Sequence, residues 1–307
     1  MKQSQHLLSV SDLTKAEVEN LFETAKMLEP ILDRPLKRVP AFRRKTVVLA
    51  FFEPSTRTRV SFETAAKTLG ANTTIITTEG SSVVKGETFV DTIQTLQSMD
   101  PDLLVIRHKS AGAALLAAKY CQCPVINAGD GTHEHPTQAL TDLLTLYKAL
   151  GGPFKKLKIG IAGDILHSRV ARSNILLLKM FGAEIHLIGP ASLIPIEFKA
   201  PEIHIHYSMG AALPELDVLM MLRIQQERLQ ENFFPSLSEY SEFYGLNMRR
   251  LKKAKPEILI MHPGPVNVGV EMTEDVMTHK NCLIEHQVRN GVLVRMALLY
   301  RMLSCKK

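Results

Sequence analysis

The sequence predicts an α/β protein of two doubly wound, parallel-sheet domains with one helix closing the chain. Three observations carry this. Short apolar runs rich in Val, Ile and Leu alternate with helical patterns throughout, as in successive βαβ units. The runs are continuous, as befits strands buried on both faces. A plain breaker, Gly151-Gly152-Pro153, divides them into two sets.

In the first set "TVVLAFF" (46–52), "TTIIT" (73–77), "DLLVIRH" (102–108) and "PVINAG" (124–129) read as strands. "TRVSFETAAKTLG", "GETFVDTIQTLQSM" and "AGAALLAAKYC" read as the helices between them, and "HPTQALTDLLTLYKAL" (135–150) ends a first domain of residues 1–150. The second set comprises "KLKIGIAGD" (156–164), "EIHLIGP", "IHIHYS", "DVLMML" (217–222) and "EILIMHP" (257–263), in a domain of residues 151–286. "QVRNGVLVRMALLYRML" is an amphipathic helix, and residues 287–307 are expected to pack back on the first domain.

The bulk properties exclude several classes. A chain of 307 residues, 45% hydrophobic and 22% charged, suits two soluble domains. No apolar run reaches the ~18 residues of a membrane span. The N-terminus has no signal-peptide pattern, so a cytoplasmic location is expected. Four cysteines without CxxC or zinc spacing read as free thiols in a reducing compartment. The net charge of +6 suits anionic partners, yet the basic residues are dispersed apart from "MRRLKKAK" (248–255), and Trp is absent. That argues against nucleic acid and reads the basic run as a solvated helix face.

Open α/β sheets bind ligands at the carboxyl ends of their strands, so those ends locate the candidate site. "FFEPSTRTRVSFE" (51–63) places Ser55, Thr56, Arg57, Thr58 and Arg59 where a strand turns into a helix. Ser55 or Thr56 caps that helix, whose unpaired N–H groups and partial positive charge attract an anion. Hydroxyls and a guanidinium shape the seat for phosphate, although the Walker pattern is absent. Arg107 ends a strand at the same edge. His135 precedes Pro136, with Gln138 three residues on. A neutral imidazole and a primary amide together suit a planar carbamoyl or amide group. His133-Glu134-His135 lacks the spacing of a helical zinc pair, so no metal is expected there.

In the second set Arg169 opens the helix after "GIAGD", and Arg223 and Gln225 follow "DVLMML". Two arginines at separate strand ends suit a second anion, best a dicarboxylate. "EILIMHP" runs into a Pro263-Gly264-Pro265 turn whose backbone can approach a ligand closely. The polar link "EGSSVVKGET" (79–88) carries Lys85, a cation suited to a mobile lid.

Taken in order, "FFEPSTRTRVSFE", "SSVVKGET", "VIRH", "HPTQALTDL", "GDILHSRVARSN", "MLRIQQER" and "MHPGPVNVGVE" resemble the catalytic chains of the aspartate carbamoyltransferase family over essentially the whole length. The resemblance implies the carbamoyltransferase fold and carbamoyl transfer from carbamoyl phosphate to L-aspartate, with no metal or organic cofactor. By the same resemblance Ser55, Thr56, Arg57 and Thr58 hold the phosphate. Arg107 is shared between phosphate and carbonyl oxygen, and His135 and Thr58 polarise the carbonyl. Gln138 and the backbone of Pro263, Gly264 and Pro265 read the carbamoyl NH2, while Arg169, Arg223 and Gln225 hold aspartate. Ser81 and Lys85 are implied to enter the site of a neighbouring subunit of a homotrimer. A regulatory chain or a dihydroorotase stays open as a further partner. An ornithine-using member would want acidic residues where this chain has Arg169, Arg223 and Lys85.

Two positions depart from the family pattern. Val268 stands where arginine is frequent, which is expected to loosen the Pro-Gly-Pro turn. Glu134 stands where a neutral residue is common, which is expected to oppose anion binding unless it faces away.

Overall fold

The computed structural model describes residues 6–77, 87–152, 154–198, 200–224 and 236–304. The chain forms two compact units, one running through Leu144 and including the segment from Arg289 onward, the other Thr145–Val288.

The first unit opens with a helix that the sequence reading passed over, α1 (Lys15–Leu32). Its signal is local. Thr14 and Glu17 form a capping box: the Glu17 N–H donates to the Thr14 hydroxyl, and the Glu17 carboxylate accepts the Thr14 N–H. Val18, Leu21, Phe22, Ala25 and Leu28 form its buried stripe at three- and four-residue spacing. Next come β1 (Thr46–Phe51), α2 (Thr56–Thr68), β2 (Asn72–Thr77), α3 (Phe89–Ser98), β3 (Leu103–His108), α4 (Ala113–Tyr120), β4 (Val125–Asp130) and α5 (Pro136–Leu150). All strand pairs are parallel in the order β2-β1-β3-β4. Beyond Thr46 every residue of β1 is buried, as a central strand covered on both faces requires.

The second unit carries β5 (Lys158–Ala162), α6 (Arg169–Met180), β6 (Glu184–Ile188), β7 (Ile203–His206), α7 (Met209–Ala212), β8 (Val218–Met221), α8 (Leu237–Tyr244), α9 (Met248–Leu251), β9 (Leu259–Met261) and α10 (Glu274–Met277). Its sheet is parallel in the order β7-β6-β5-β8-β9. The predicted strands all form, within about two residues of their expected ends. The basic run 248–255 is not one solvated helix face, because only Met248–Leu251 is helical. Arg250 also turns inward and donates to the carbonyls of Ser241, Glu242 and Gly245.

The closing helix α11 (Ile284–Ser304) supplies the first unit with anchors. Arg301 donates to the Glu17 carbonyl at 3.0 Å, and Arg289 pairs with Asp33 at 2.6 Å. Arg295 is buried, donates to Ser61 Oγ at 2.9 Å and lies 5.1 Å from the Phe62 ring centre. Burial brings its pKa down to about 10, against the opposing pull of Asp142. These contacts hold α2, and hence its N-terminus, against α11. No helix among the described residues is long and apolar enough to cross a membrane.

Candidate active site

Each sheet has one topological switch point, between β1 and β3 in the first unit and between β5 and β8 in the second. A ligand crevice forms outside the carboxyl ends of strands at such a point, because the connections there leave in opposite directions. Of the strand-end residues singled out from sequence, Ser55–Arg59 and Arg107 stand at the first of these places, and Arg169 and Arg223 at the second.

In the first unit β1 delivers Glu53 to Arg59, and β3 delivers Arg107 and His108. The Phe52 N–H donates to the Arg107 carbonyl at 2.8 Å, tying the two exits together. Ser55 is the N-cap of α2 but makes no side-chain cap bond. Thr14, Thr88, Ser168 and Ser236 each use their hydroxyl to cap their own helices. The α2 start therefore keeps its hydroxyl and its amide donors for another acceptor. Arg57 is exposed and Thr58 is buried. Arg107 donates to Glu53 Oε1 at 3.2 Å and to the Ala128 carbonyl at 3.3 Å. Glu53 was not read as functional, and nothing in its spacing marks it.

The exit of β4 brings in His135 and Gln138. Gly131, with φ of 51°, packs so closely against the chain leaving β3 that a Cβ would lie 2.7 Å from the Ala111 nitrogen. Asp130 then binds the loop together: it accepts from Asn127 Nδ2 at 2.8 Å, from the Gly112 N–H at 2.7 Å and from the Glu134 N–H at 3.1 Å. His135 is buried just before α5, its Nδ1 at 3.4 Å from the Thr137 hydroxyl. Gln138 Nε2 donates to Asp142 Oδ1 at 2.8 Å. A carboxylate only accepts, so this bond settles the amide orientation and makes the Gln138 oxygen the acceptor it presents. Asp142 stands four residues on along α5, a relation readable from the sequence. Glu134 faces away from this edge: it is buried and accepts the Val10 N–H at 2.9 Å and the Ser9 hydroxyl.

In the second unit the Leu222 N–H donates to the Ala162 carbonyl at 2.8 Å, joining the β5 and β8 exits. Gly163, with φ of 134°, permits this approach, since a Cβ would lie 3.0 Å from Leu222 Cβ. Arg169 is the first residue of α6 and is buried. The loop before it is fixed by Asp164, which accepts the His167 N–H at 3.0 Å and meets His167 Nδ1 at 2.9 Å. Arg223 lies two residues past the end of β8 and is partly buried.

The Pro263-Gly264-Pro265 turn leaves β9 with a cis Gly264-Pro265 bond, and the Gly264 N–H donates to His262 Nδ1 at 2.9 Å. Its anchor is Glu271, fully buried and not identified from the sequence. Glu271 Oε1 accepts the Ile224 N–H at 2.7 Å and Asn267 Nδ2 at 2.7 Å, while Oε2 accepts the Asn267 N–H at 2.6 Å. One carboxylate thus couples the residue after Arg223 to the turn. Burial pushes its pKa up in spite of these bonds. Val268 is 59% exposed, and the side-chain bonds at the turn run between its neighbours Asn267 and Glu271. Ser81, Lys85 and Gln225 lie outside the described residues.

Known proteins resemble this chain in sequence and in fold. Residues 5–148 match the family model "Aspartate/ornithine carbamoyltransferase, carbamoyl-P binding domain", and residues 155–302 match "Aspartate/ornithine carbamoyltransferase, Asp/Orn binding domain". The chain is 52% identical over 298 residues to an aspartate carbamoyltransferase catalytic subunit of Desulfitobacterium hafniense, covering 97% of this chain and 95% of that one. It is 50% identical over 302 residues to the corresponding subunit of Moorella thermoacetica, covering 98% of each. Among solved structures, the aspartate transcarbamoylase of Trypanosoma cruzi in complex with carbamoyl phosphate and aspartate superposes with a TM-score of 0.87 at 30% identity, covering 96% of this chain and 95% of that one. The catalytic subunit of the M. jannaschii enzyme gives 0.84 at 36% identity, with 97% of each chain covered. Two family models spanning nearly the whole chain, and relatives at half identity over nearly its full length, leave one conclusion: the chain belongs to the aspartate/ornithine carbamoyltransferase family, among its aspartate carbamoyltransferase catalytic subunits.

Proposed function

We infer that the chain transfers the carbamoyl group of carbamoyl phosphate to the amine of L-aspartate, giving N-carbamoyl-L-aspartate and phosphate in de novo pyrimidine biosynthesis. The observation that carries this is the full-length identity of about half with aspartate carbamoyltransferase catalytic subunits. The cationic strand ends agree with it, for two anionic substrates need two such seats.

In this reading the α2 start, with Ser55, Thr56, Arg57 and Thr58, seats the phosphate, and Arg107 spans phosphate and carbonyl oxygen. His135 and Thr58 donate to that oxygen, while the Gln138 amide oxygen and the carbonyls of the Pro263–Pro265 turn accept from the carbamoyl NH2. Arg169, Arg223 and Gln225 take the aspartate carboxylates. The amine attacks the carbamoyl carbon, the C–N bond forms, and negative charge collects on the oxygen facing Arg107, His135 and Thr58. As the C–O bond to phosphate breaks, the electron pair leaves with phosphate, which also accepts the amine proton. Arg57 and Lys85 neutralise the leaving group. Holding the two reactants in attack geometry supplies much of the rate.

The active form in this proposal is a homotrimer in the cytoplasm, with Ser81 and Lys85 entering the neighbouring chain's site. The free thiols Cys121, Cys123 and Cys282 suit a reducing compartment.

The test is to follow carbamoylated product from carbamoyl phosphate with L-aspartate and with L-ornithine. Turnover with aspartate alone is expected. Turnover with ornithine alone would overturn the substrate assignment, and no turnover with either would overturn the activity.

A further inference from the structure

Away from both switch points, the amino-terminal half of the second sheet gathers a group that the carbamoyl-transfer chemistry does not use. Glu184 and His186 are two apart on β6 and so project from the same face, and His204 on β7 pairs with His186 in the parallel register. We propose that Glu184, His186 and His204 form a binding site for a divalent transition ion of the zinc class, one per chain, clamping the edge strand β7 to β6.

One ligand atom from each residue can be chosen so that all three lie within 4.8 Å of one another. With metal–ligand bonds of about 2.0–2.1 Å, a tetrahedral ion separates its ligand atoms by roughly 3.3 Å. The two edges meeting at Glu184 Oε1 measure 3.1 Å to His186 Nε2 and 3.4 Å to His204 Nε2. The third edge lies between two imidazoles whose ring centroids are 4.7 Å apart, and the proposal requires His204, whose side chain is 48% exposed, to turn toward the ion. That exposure also gives the ion an entry path and an open fourth position.

The surroundings are those of a ligand set. His186 is buried, so its ring is held in place by its surroundings. Its other nitrogen, Nδ1, lies 2.8 Å from His206 Nε2. A proton placed on Nδ1 toward His206 leaves the Nε2 lone pair for the metal, the outer contact that metal-bound histidines regularly make. Lys158 Nζ stands 3.8 Å from Glu184 but 2.9 Å from Glu215. It retains a carboxylate partner when an ion takes Glu184. Two histidines sharing one carboxylate oxygen account for the contacts without a metal, and this is the alternative that the experiment must separate.

The test uses the full-length protein, stripped with a chelator and titrated with Co2+ as a spectroscopic probe, then with Zn2+ in competition. The expected result is one ion per chain with the intense visible bands of tetrahedral cobalt, lost on adding Zn2+. His204→Gln, at an exposed position, should keep the apo melting temperature and weaken binding at least about 100-fold. His206→Ala should weaken binding about 10–100-fold while keeping the stoichiometry. Zn2+ should raise the melting temperature of the wild type and not of His204→Gln. Absence of a tetrahedral cobalt spectrum at micromolar ion would overturn the proposal. So would undiminished binding by His204→Gln, which would move the ion to the thiols or to His133 and His135.

Discussion

Glu271→Gln is the most informative single change, because one buried carboxylate joins two exits of the second sheet. Its Oε1 accepts the Ile224 N–H and Asn267 Nδ2, and its Oε2 accepts the Asn267 N–H. Glutamine keeps the first oxygen but sets an NH2 against the Asn267 N–H, so two donors face each other. Leaving one buried N–H unpaired costs about 1–3 kcal/mol, and the bonds to Oε1 also lose the strength that charge lends them. Removing a buried charge offsets part of this, so a net loss of about 1–3 kcal/mol is expected, read as a lower urea midpoint. Since Ile224 follows Arg223, the KM for aspartate should rise about tenfold, corresponding to about 1.4 kcal/mol of lost binding. A pH signature accompanies it. The folded pKa of Glu271 is raised, so its contribution to stability is fully present below the unfolded value and lost as pH rises through the folded value. Wild-type stability should carry that decline above the ordinary carboxyl range, and the Gln variant should lack it. Unchanged aspartate KM together with stability within about 0.5 kcal/mol of wild type would refute the coupling.

Other changes separate the remaining assignments. Glu134→Ala strips the acceptor from the buried Val10 N–H and should cost about 1–3 kcal/mol of thermal stability, measured by calorimetry. Because Glu134 faces away from the anion seat, the KM for carbamoyl phosphate should hardly move, and a marked fall in that KM would show that its charge does reach the seat. Arg57→Ala and Lys85→Ala chains should each be nearly inactive, yet regain activity when mixed under conditions of subunit exchange. No recovery after verified exchange would mean that each chain builds its site alone. Val268→Arg, at a position 59% exposed, should shift the unfolding midpoint by no more than about 0.5 kcal/mol and leave turnover unchanged, which steady-state kinetics would check.

The strand-end residues were legible because their signals are local: an apolar run, a breaker, then hydroxyls and arginines. Buried strands of a parallel sheet write themselves as continuous apolar runs, and helix starts as hydroxyl and proline residues, so fold class and strand positions needed only the sequence. Even the missed α1 carries its capping box in plain sight at Thr14 and Glu17. The acidic residues that hold those strand ends were a different matter. Glu53 and Glu271 are ordinary carboxylates in sequence, and their meaning arises from what the fold sets against them: Arg107 at 3.2 Å and the Ile224 N–H at 2.7 Å. Glu134 makes the same point in reverse. Its charge in the sequence "THEHPTQ" predicts repulsion of an anion, and only the return of the chain from Ser9 and Val10 turns it into a structural acceptor. Sequence by itself determined which groups are present and in what order along each strand exit. Tertiary structure decided which charges meet, because electrostatic and hydrogen-bond energies fall off over a few ångströms and partners 47 to 125 residues apart leave no periodic trace.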